Sequence, residues 1–260
     1  MTDTLKISRP SDGVVVLTLD RPEVMNAIDI ALFEALDQTL ATLEDDASAR
    51  AVVITGAGER AFSAGFDIHE MAGFDGPSMR AAFDRRDGLF LRAAGYRKPL
   101  IVALNGVTYG AGALLAAAVD IRIGCPATRF KVTASSYGAA NATWTLPRIV
   151  GLAKAKEILF TGRVVEAEEA LSIGLLNQLV RDRPVLDAAV DMAAMIAANP
   201  SEGVEAVKTL VDGSFGGSLA AGYQAEHEWM IKHMAHSAKS GSDVFGGFLA
   251  TRGGAAKGDG

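Results

Sequence analysis

The chain has 260 residues, 49% of them hydrophobic and 22% charged, with a net charge of −6. That size suits one substantial buried core, and an acidic balance with no basic run argues against a nucleic-acid or anionic-membrane partner. No charge-free apolar stretch reaches the ~18 residues of a membrane span, and MTDTLKIS lacks a charged-then-apolar leader, so a cytoplasmic protein is expected. The first elements follow from local chemistry. Leu5 to Ile7 and Val14 to Leu19 flank the turn signal Ser11-Asp12-Gly13 and predict an N-terminal β-hairpin. Arg21-Pro22 breaks the second strand. Asp29 is a plausible N-cap for a helix carrying Leu32, Ala35, Leu36, Leu40 and Leu43 at helical spacing, to about Glu44. Ala51 to Thr55 is a fully apolar strand closed by Gly56-Ala57-Gly58, and this β-α-β progression favours an α/β fold with a buried sheet.

Ala61 to Ile68 enters a second turn, centred on Gly65, where an unusual dihedral or a close ligand is expected. Residues 72 to 86, with Gly73, Gly76 and Pro77 among mixed charges, read as an irregular cover before a helix ending near Arg97. The stretch from Lys98 to Asp120 organises the rest. A buried strand from Leu100 to Leu104 and a turn at Asn105-Gly106 lead through Tyr109-Gly110-Ala111-Gly112 into a small-residue helix. Unpaired N–H groups and the positive end of the dipole meet at such a helix start, which therefore suits an oxyanion or phosphate.

Short strands are predicted at Ile121 to Ile123, Phe130 to Val132 and Leu175 to Val180, and helices over Leu152 to Phe160, Glu166 to Leu171 and Val185 to Ala198. From Glu202 to Ala250 the pattern is helical, with breaks expected at Gly213, Gly216-Gly217, Gly222, Gly241 and Gly246-Gly247. The organisation predicted is a core over 1–200, a helical region over 201–252 and a disordered tail over 253–260. The lone Cys125 cannot close an internal disulfide and reads as a small buried hydrophobe.

Three ordered motifs carry a resemblance. FSAGFDI at 62 to 68, KPLIVALNGVTYGAG at 98 to 112 and LPRIVGLAKAKEILFTGRVVEAEEALSIGLLNQLV at 146 to 180 resemble the enoyl-CoA hydratase/isomerase, or crotonase, family. The likeness begins at LDRPEVMNAI, residues 19 to 28, and continues more loosely past residue 180. It implies an α/β crotonase-like spiral of ββα units with a C-terminal helical trimerisation region, assembled as a homotrimer or homohexamer. It also implies an acyl-CoA substrate, with coenzyme A present only as part of that substrate and no permanently bound cofactor or metal.

By motif position, the resemblance assigns the two backbone amides of the family's oxyanion hole to Phe66 and Ala111. Donors of this kind contribute about 3–4 kcal/mol each to stabilising a thioester enolate. Ala64, Gly65, Asp67, Ile68, Gly110 and Trp144 fall among the positions that hold coenzyme A and substrate, with Arg21 near the phosphates. Asp67 is expected to brace the turn through backbone hydrogen bonds.

The sequence departs from the family at the acids. The two glutamates that hydratases use to position water and move a proton fall at Leu114 and Ala134, and a further carboxylate position falls at alanines 139 or 142. The remaining polar groups of the acyl-pocket segments are Tyr109, Tyr137, Asn141, Thr143 and Trp144, with His69 and Glu70 after the first turn. Tyr137, Asn141 and His69 are the candidate acid/base or water-holding groups, weighed against aromatic wall or core for Tyr137 and Trp144 and a local turn role for Asn141. His227, His233 and His236 share a helix but lack the cysteine or carboxylate partners of a metal site. Gly110-x-Gly112 lacks the third glycine of a dinucleotide fingerprint. Two functions follow: an acyl-CoA-processing hydratase or isomerase with atypical acid/base residues, or a non-catalytic acyl-CoA-binding protein.

Overall fold

A computed structural model of the protein describes residues 4–237. The hairpin forms as expected, from β1 (Leu5–Ser11) and β2 (Val14–Leu19), antiparallel to each other. Helix α1 (Ile30–Asp45) follows, its first turn capped by the Asp29 carboxylate, which accepts from the Leu32 N–H at 2.8 Å. From here the chain winds as a spiral whose turns contribute one strand to each of two sheets. The first turn supplies β3 (Ala51–Gly56) and β4 (Ala61–Ser63), then α2 (Ile68–Met71) and α3 (Gly76–Ala94). The second supplies β5 (Leu100–Leu104) and β6 (Val107–Tyr109), then α4 (Ala111–Ala118). The third supplies β7 (Ile121–Gly124) and β8 (Arg129–Lys131), then α5 (Leu146–Val150) and α6 (Leu152–Thr161). The chain continues through β9 (Val165–Glu166), α7 (Ala167–Ser172), β10 (Gln178–Leu179) and α8 (Val185–Ala197).

The larger sheet runs β1-β2-β3-β5-β7-β10 and the smaller β4-β6-β8-β9. Apart from the hairpin and the antiparallel β8–β9 pair, the neighbours are parallel, as crossover connections require. Strands buried on both faces explain the unbroken apolar runs. Val14, Val16, Val53, Ile101 and Ala103 pack with Ala188, Ala189 and Ala193 of α8, while Val15, Leu17, Val52, Ile54 and Val102 join Leu32, Leu36 and Leu40 of α1.

Four local expectations are corrected. The stretch after Gly76 is helical, because the Asp75 carboxylate accepts from the Ser78 N–H at 2.8 Å and Pro77 occupies the first turn, where its missing N–H costs nothing. The turn after Asn105-Gly106 contains a strand, β6, which joins the smaller sheet. The predicted strand over Leu175 to Val180 shortens to the two residues of β10. Gly213 and Gly222 sit inside helices α9 (Ser201–Ser214) and α10 (Leu219–Ser237), and the break between the two contains Gly216-Gly217.

One compact unit extends through Glu205 and a second begins at Ala206. In the second, Tyr223 stacks on His227 and Trp229 on His233, with ring centroids 6.0 and 4.7 Å apart. The expected tail, His236's side chain and the breaks at Gly241 and Gly246-Gly247 lie outside the described residues. No helix among the described residues is long and apolar enough to cross a membrane.

Candidate functional site

Two glycine turns, distant in sequence, abut. Parallel pairing of β4 with β6 brings their ends together, and the chain leaves each strand through a glycine with positive φ, +105° at Gly65 and +48° at Gly110. A Cβ on Gly65 would lie 3.0 Å from the Tyr109 carbonyl oxygen, 3.1 Å from the Ala111 nitrogen and 3.3 Å from Gly110 Cα. The turn after Gly65 therefore lies directly beside the first residue of α4. As the first helical residue, Ala111 has an N–H with no partner inside its own helix. The end of β6 is fixed by the Gly110 N–H, which donates to the Lys131 carbonyl at 3.0 Å.

The first turn is held from three sides. The Ser63 hydroxyl accepts from the Gly65 N–H at 3.1 Å. The strip 25–28 grips the turn through Ala64 N–H to Met25 O (2.9 Å), Ile28 N–H to Gly65 O (2.8 Å) and Asp67 N–H to Ile28 O (3.0 Å). The Phe66 ring packs against Phe90 of α3, centroids 6.3 Å apart. Beyond the turn, the Asp67 carboxylate accepts from the His69 N–H (3.1 Å) and the Glu70 N–H (3.4 Å), capping α2. Burial works to raise the Asp67 pKa, but hydrogen bonds from Arg21, Glu70 and His69 together hold it below the usual carboxylate range.

Arg21 has its own set of partners. Nη1 donates to the Ala27 carbonyl at 2.8 Å and lies 3.2 Å from Asp29, while Nη2 lies 3.1 Å from Asp67. Glu70 is engaged as well: its carboxylate accepts from the Ile30 N–H at 3.1 Å and caps α1 beside Asp29. His69 and Ile68 are exposed. Tyr137, at the end of a 3-10 turn over Ala134–Tyr137, and Trp144 are 65% and 48% exposed, so neither is a core residue. Asn141 is half-buried and precedes Ala142, which takes a positive φ of +57°. Leu114 and Ala134 pack in the main apolar cluster, Ala134 fully buried.

Three further residues serve this region without having been singled out in the sequence. Asn26 is fully buried with φ +53°, and its amide donates to Ala57 O (3.0 Å) and Ala61 O (2.8 Å), tying the strip 25–28 to β4. Ser63 holds Gly65, and the Thr133 hydroxyl lies 3.5 Å from where a Cβ on Gly110 would sit. Only Ser63 carried a signal beforehand, a short polar residue two positions before Gly65, which local turn chemistry also explains; Asn26 and Thr133 reach the turns only through the tertiary fold.

Comparison with known proteins agrees with this architecture. A model of the family described as enoyl-CoA hydratase/isomerase matches residues 9–248. The chain is 37% identical over 236 residues to a probable enoyl-CoA hydratase of Mycobacterium bovis, covering 85% of this chain and 81% of the relative. It is 31% identical over 253 residues to the 1,2-epoxyphenylacetyl-CoA isomerase of Escherichia coli, covering 95% of each. The crystal structure of an enoyl-CoA hydratase from Bacillus anthracis superposes with a TM-score of 0.89 at 28% identity, covering 96% of both chains.

Proposed function

Because this chain belongs to the enoyl-CoA hydratase/isomerase family, we propose that it processes an acyl-CoA thioester by stabilising an enolate oxyanion between the backbone amides of Phe66 and Ala111. The observation that carries this reading is the abutment of the two glycine turns, with Ala111 N 3.1 Å from the Cβ position of Gly65. An oxygen seated there would meet main-chain donors from both turns, one of them at the positive end of α4. Because the donors are backbone groups, the identities of Phe66 and Ala111 matter less than the dihedrals of Gly65 and Gly110. The coenzyme A portion is placed along Ala64, Gly65, Asp67 and Ile68, with Gly110 and Trp144 beside the acyl group. Assembly as a homotrimer or homohexamer, with the helices beyond residue 200 at the subunit contacts, is part of the same proposal and is read by light scattering.

Proton transfer is assigned to Tyr137, to water held by Asn141, or to His69. Glu70 is a weaker candidate than its position after the turn suggests, because its carboxylate already accepts from Ile30. A second reading, an acyl-CoA-binding protein without turnover, is favoured by one observation: Leu114 and Ala134 bring no ionisable group to the positions the hydratase chemistry uses.

The deciding experiment incubates the purified protein with crotonyl-CoA and with a long-chain 2-enoyl-CoA while following binding and product together. Turnover that Tyr137→Phe or His69→Ala abolishes supports the enzyme. Tight binding without product supports the second reading. Coenzyme A esters that neither bind nor raise the melting temperature overturn both.

A further inference from the structure

We propose that Arg21 is a positioning residue, an ionic clasp that sets the turn presenting the Phe66 amide, rather than a ligand of the coenzyme A phosphates. This inference rests on the reading of that turn as half of an oxyanion hole, but its structural half can be tested without any substrate.

The turn 64–67 hangs on the strip 25–28 by three backbone hydrogen bonds, and Arg21 spans both segments. One end of its guanidinium reaches the strip at Ala27 O (2.8 Å) and the other reaches the turn at Asp67 (3.1 Å), with Asp29 at 3.2 Å beside Ala27. Only 17% of its side chain is exposed, and 13% and 21% of the side chains of Asp67 and Asp29. Its backbone is fixed too: the Arg21 N–H donates to Asn26 Oδ1 at 3.0 Å and the Asn26 N–H returns to Arg21 O at 2.8 Å. A planar fork that joins two carboxylates and a carbonyl is a geometric constraint that a lysine ammonium cannot reproduce.

Charge gives the clasp a second effect. Asp29, Asp67 and Glu70 place three carboxylates at the starts of α1 and α2, and Asp67 directly follows the residue whose amide would bind an oxyanion. Arg21 is the cation ion-paired to two of them. Without it the turn loses a tether, and the developing oxyanion meets uncompensated negative charge within a few residues. Both changes act on the transition state rather than on ground-state binding, so kcat falls while affinity for the thioester holds.

The experiment compares the wild type with Arg21→Met, Arg21→Lys and the double variant Arg21→Met/Asp67→Asn. Each is assayed on one 2-enoyl thioester presented as its coenzyme A ester and as its phosphate-free pantetheine ester. Asparagine keeps the cap on α2 while removing the charge. For Arg21→Met the expected result is a loss in kcat of about 100-fold on both esters with Kd little changed, the scale of a small misplacement of catalytic groups. Arg21→Lys lies between, and Asp67→Asn restores part of the loss. A loss confined to the coenzyme A ester, with weakened binding, identifies a phosphate ligand and overturns the clasp. Amide hydrogen exchange on the unliganded proteins is the second measurement. Faster exchange at residues 64–67 in Arg21→Met supports the clasp even if the wild type proves inactive, which would overturn the oxyanion reading alone. Unchanged exchange there overturns the clasp.

Discussion

Gly112 faces Ser63 so closely that a Cβ built on it would lie 2.7 Å from the Ser63 carbonyl oxygen and 2.8 Å from Ser63 Cβ. Helix α4 thus lies against β4 at a separation that a glycine permits. Because Ser63 also holds Gly65, this contact sets the depth of α4 relative to the first turn. Gly112→Ala must push the helix away from the strand, with an expected destabilisation of about 1–3 kcal/mol, typical of overpacking. Urea unfolding of the two proteins measures it, and equal midpoints would refute the contact.

Gly65→Ala has a different signature. The residue's φ of +105° strains any L side chain, and the added methyl meets Tyr109 O at 3.0 Å and Ala111 N at 3.1 Å. The two turns are forced apart where the oxyanion is proposed to sit. Turnover of a 2-enoyl-CoA is expected to fall by about 100-fold, the cost of losing one such donor. Steady-state kinetics reads the loss, and an unchanged kcat would separate the glycine junction from catalysis.

At the other end of α4 stands a buried cation. Arg122 donates to Ala116 O (3.3 Å), Val119 O (2.6 Å) and Asp120 O (3.2 Å) around the end of the helix, and to Leu175 O (2.8 Å) from the segment before β10. Burial pushes its pKa down to about 10, so it remains charged near neutrality. Arg122→Met leaves those carbonyls buried without donors, and a loss of about 2–4 kcal/mol is expected from their desolvation. Chemical denaturation measures it, and a loss under about 1 kcal/mol, the worth of a single ordinary hydrogen bond, would contradict the assignment.

Acid sensitivity is predicted at the Arg163 network. Arg163 donates to Glu157 at 2.5 and 2.9 Å and to Glu169 from Nη1 at 2.6 Å, and Lys154 reaches Glu157 at 3.1 Å. Hydrogen bonds from Arg163 and then Lys154 lower the Glu157 pKa from 4.5 to about 2. The folded state then binds its proton less readily than the unfolded chain, so the stabilisation is complete above pH 4.5 and fades as pH falls toward 2. The melting temperature should drop over that window, and Glu157→Gln should flatten this part of the profile. Because the pair faces solvent, added salt should shrink the difference. Identical profiles for the two proteins would remove Glu157 from the account.

Much of this molecule is written locally. The hairpin, the Asp29 cap, the apolar run of Ala51 to Thr55 and the entry to α4 follow from turn chemistry, capping and periodicity, which act over a few residues. So does the glycine at each turn, because a positive φ is a property of a single residue. The absence of carboxylates at Leu114 and Ala134 is likewise a fact of the chain alone. The tertiary structure decided what these pieces face. Strands as short as β4 and β6 carry too little periodicity to show that they leave the main sheet and pair with each other, and only that pairing sets Gly65 beside Ala111. Arg21 and Glu70 are ambiguous in the sequence for the same reason. An exposed arginine and one held between Asp29 and Asp67 look identical in one dimension, and a glutamate beside a glycine turn looks available until the start of another helix is found to hold it. Local propensity determined the elements, and long-range packing determined which amides, carboxylates and cations share a site.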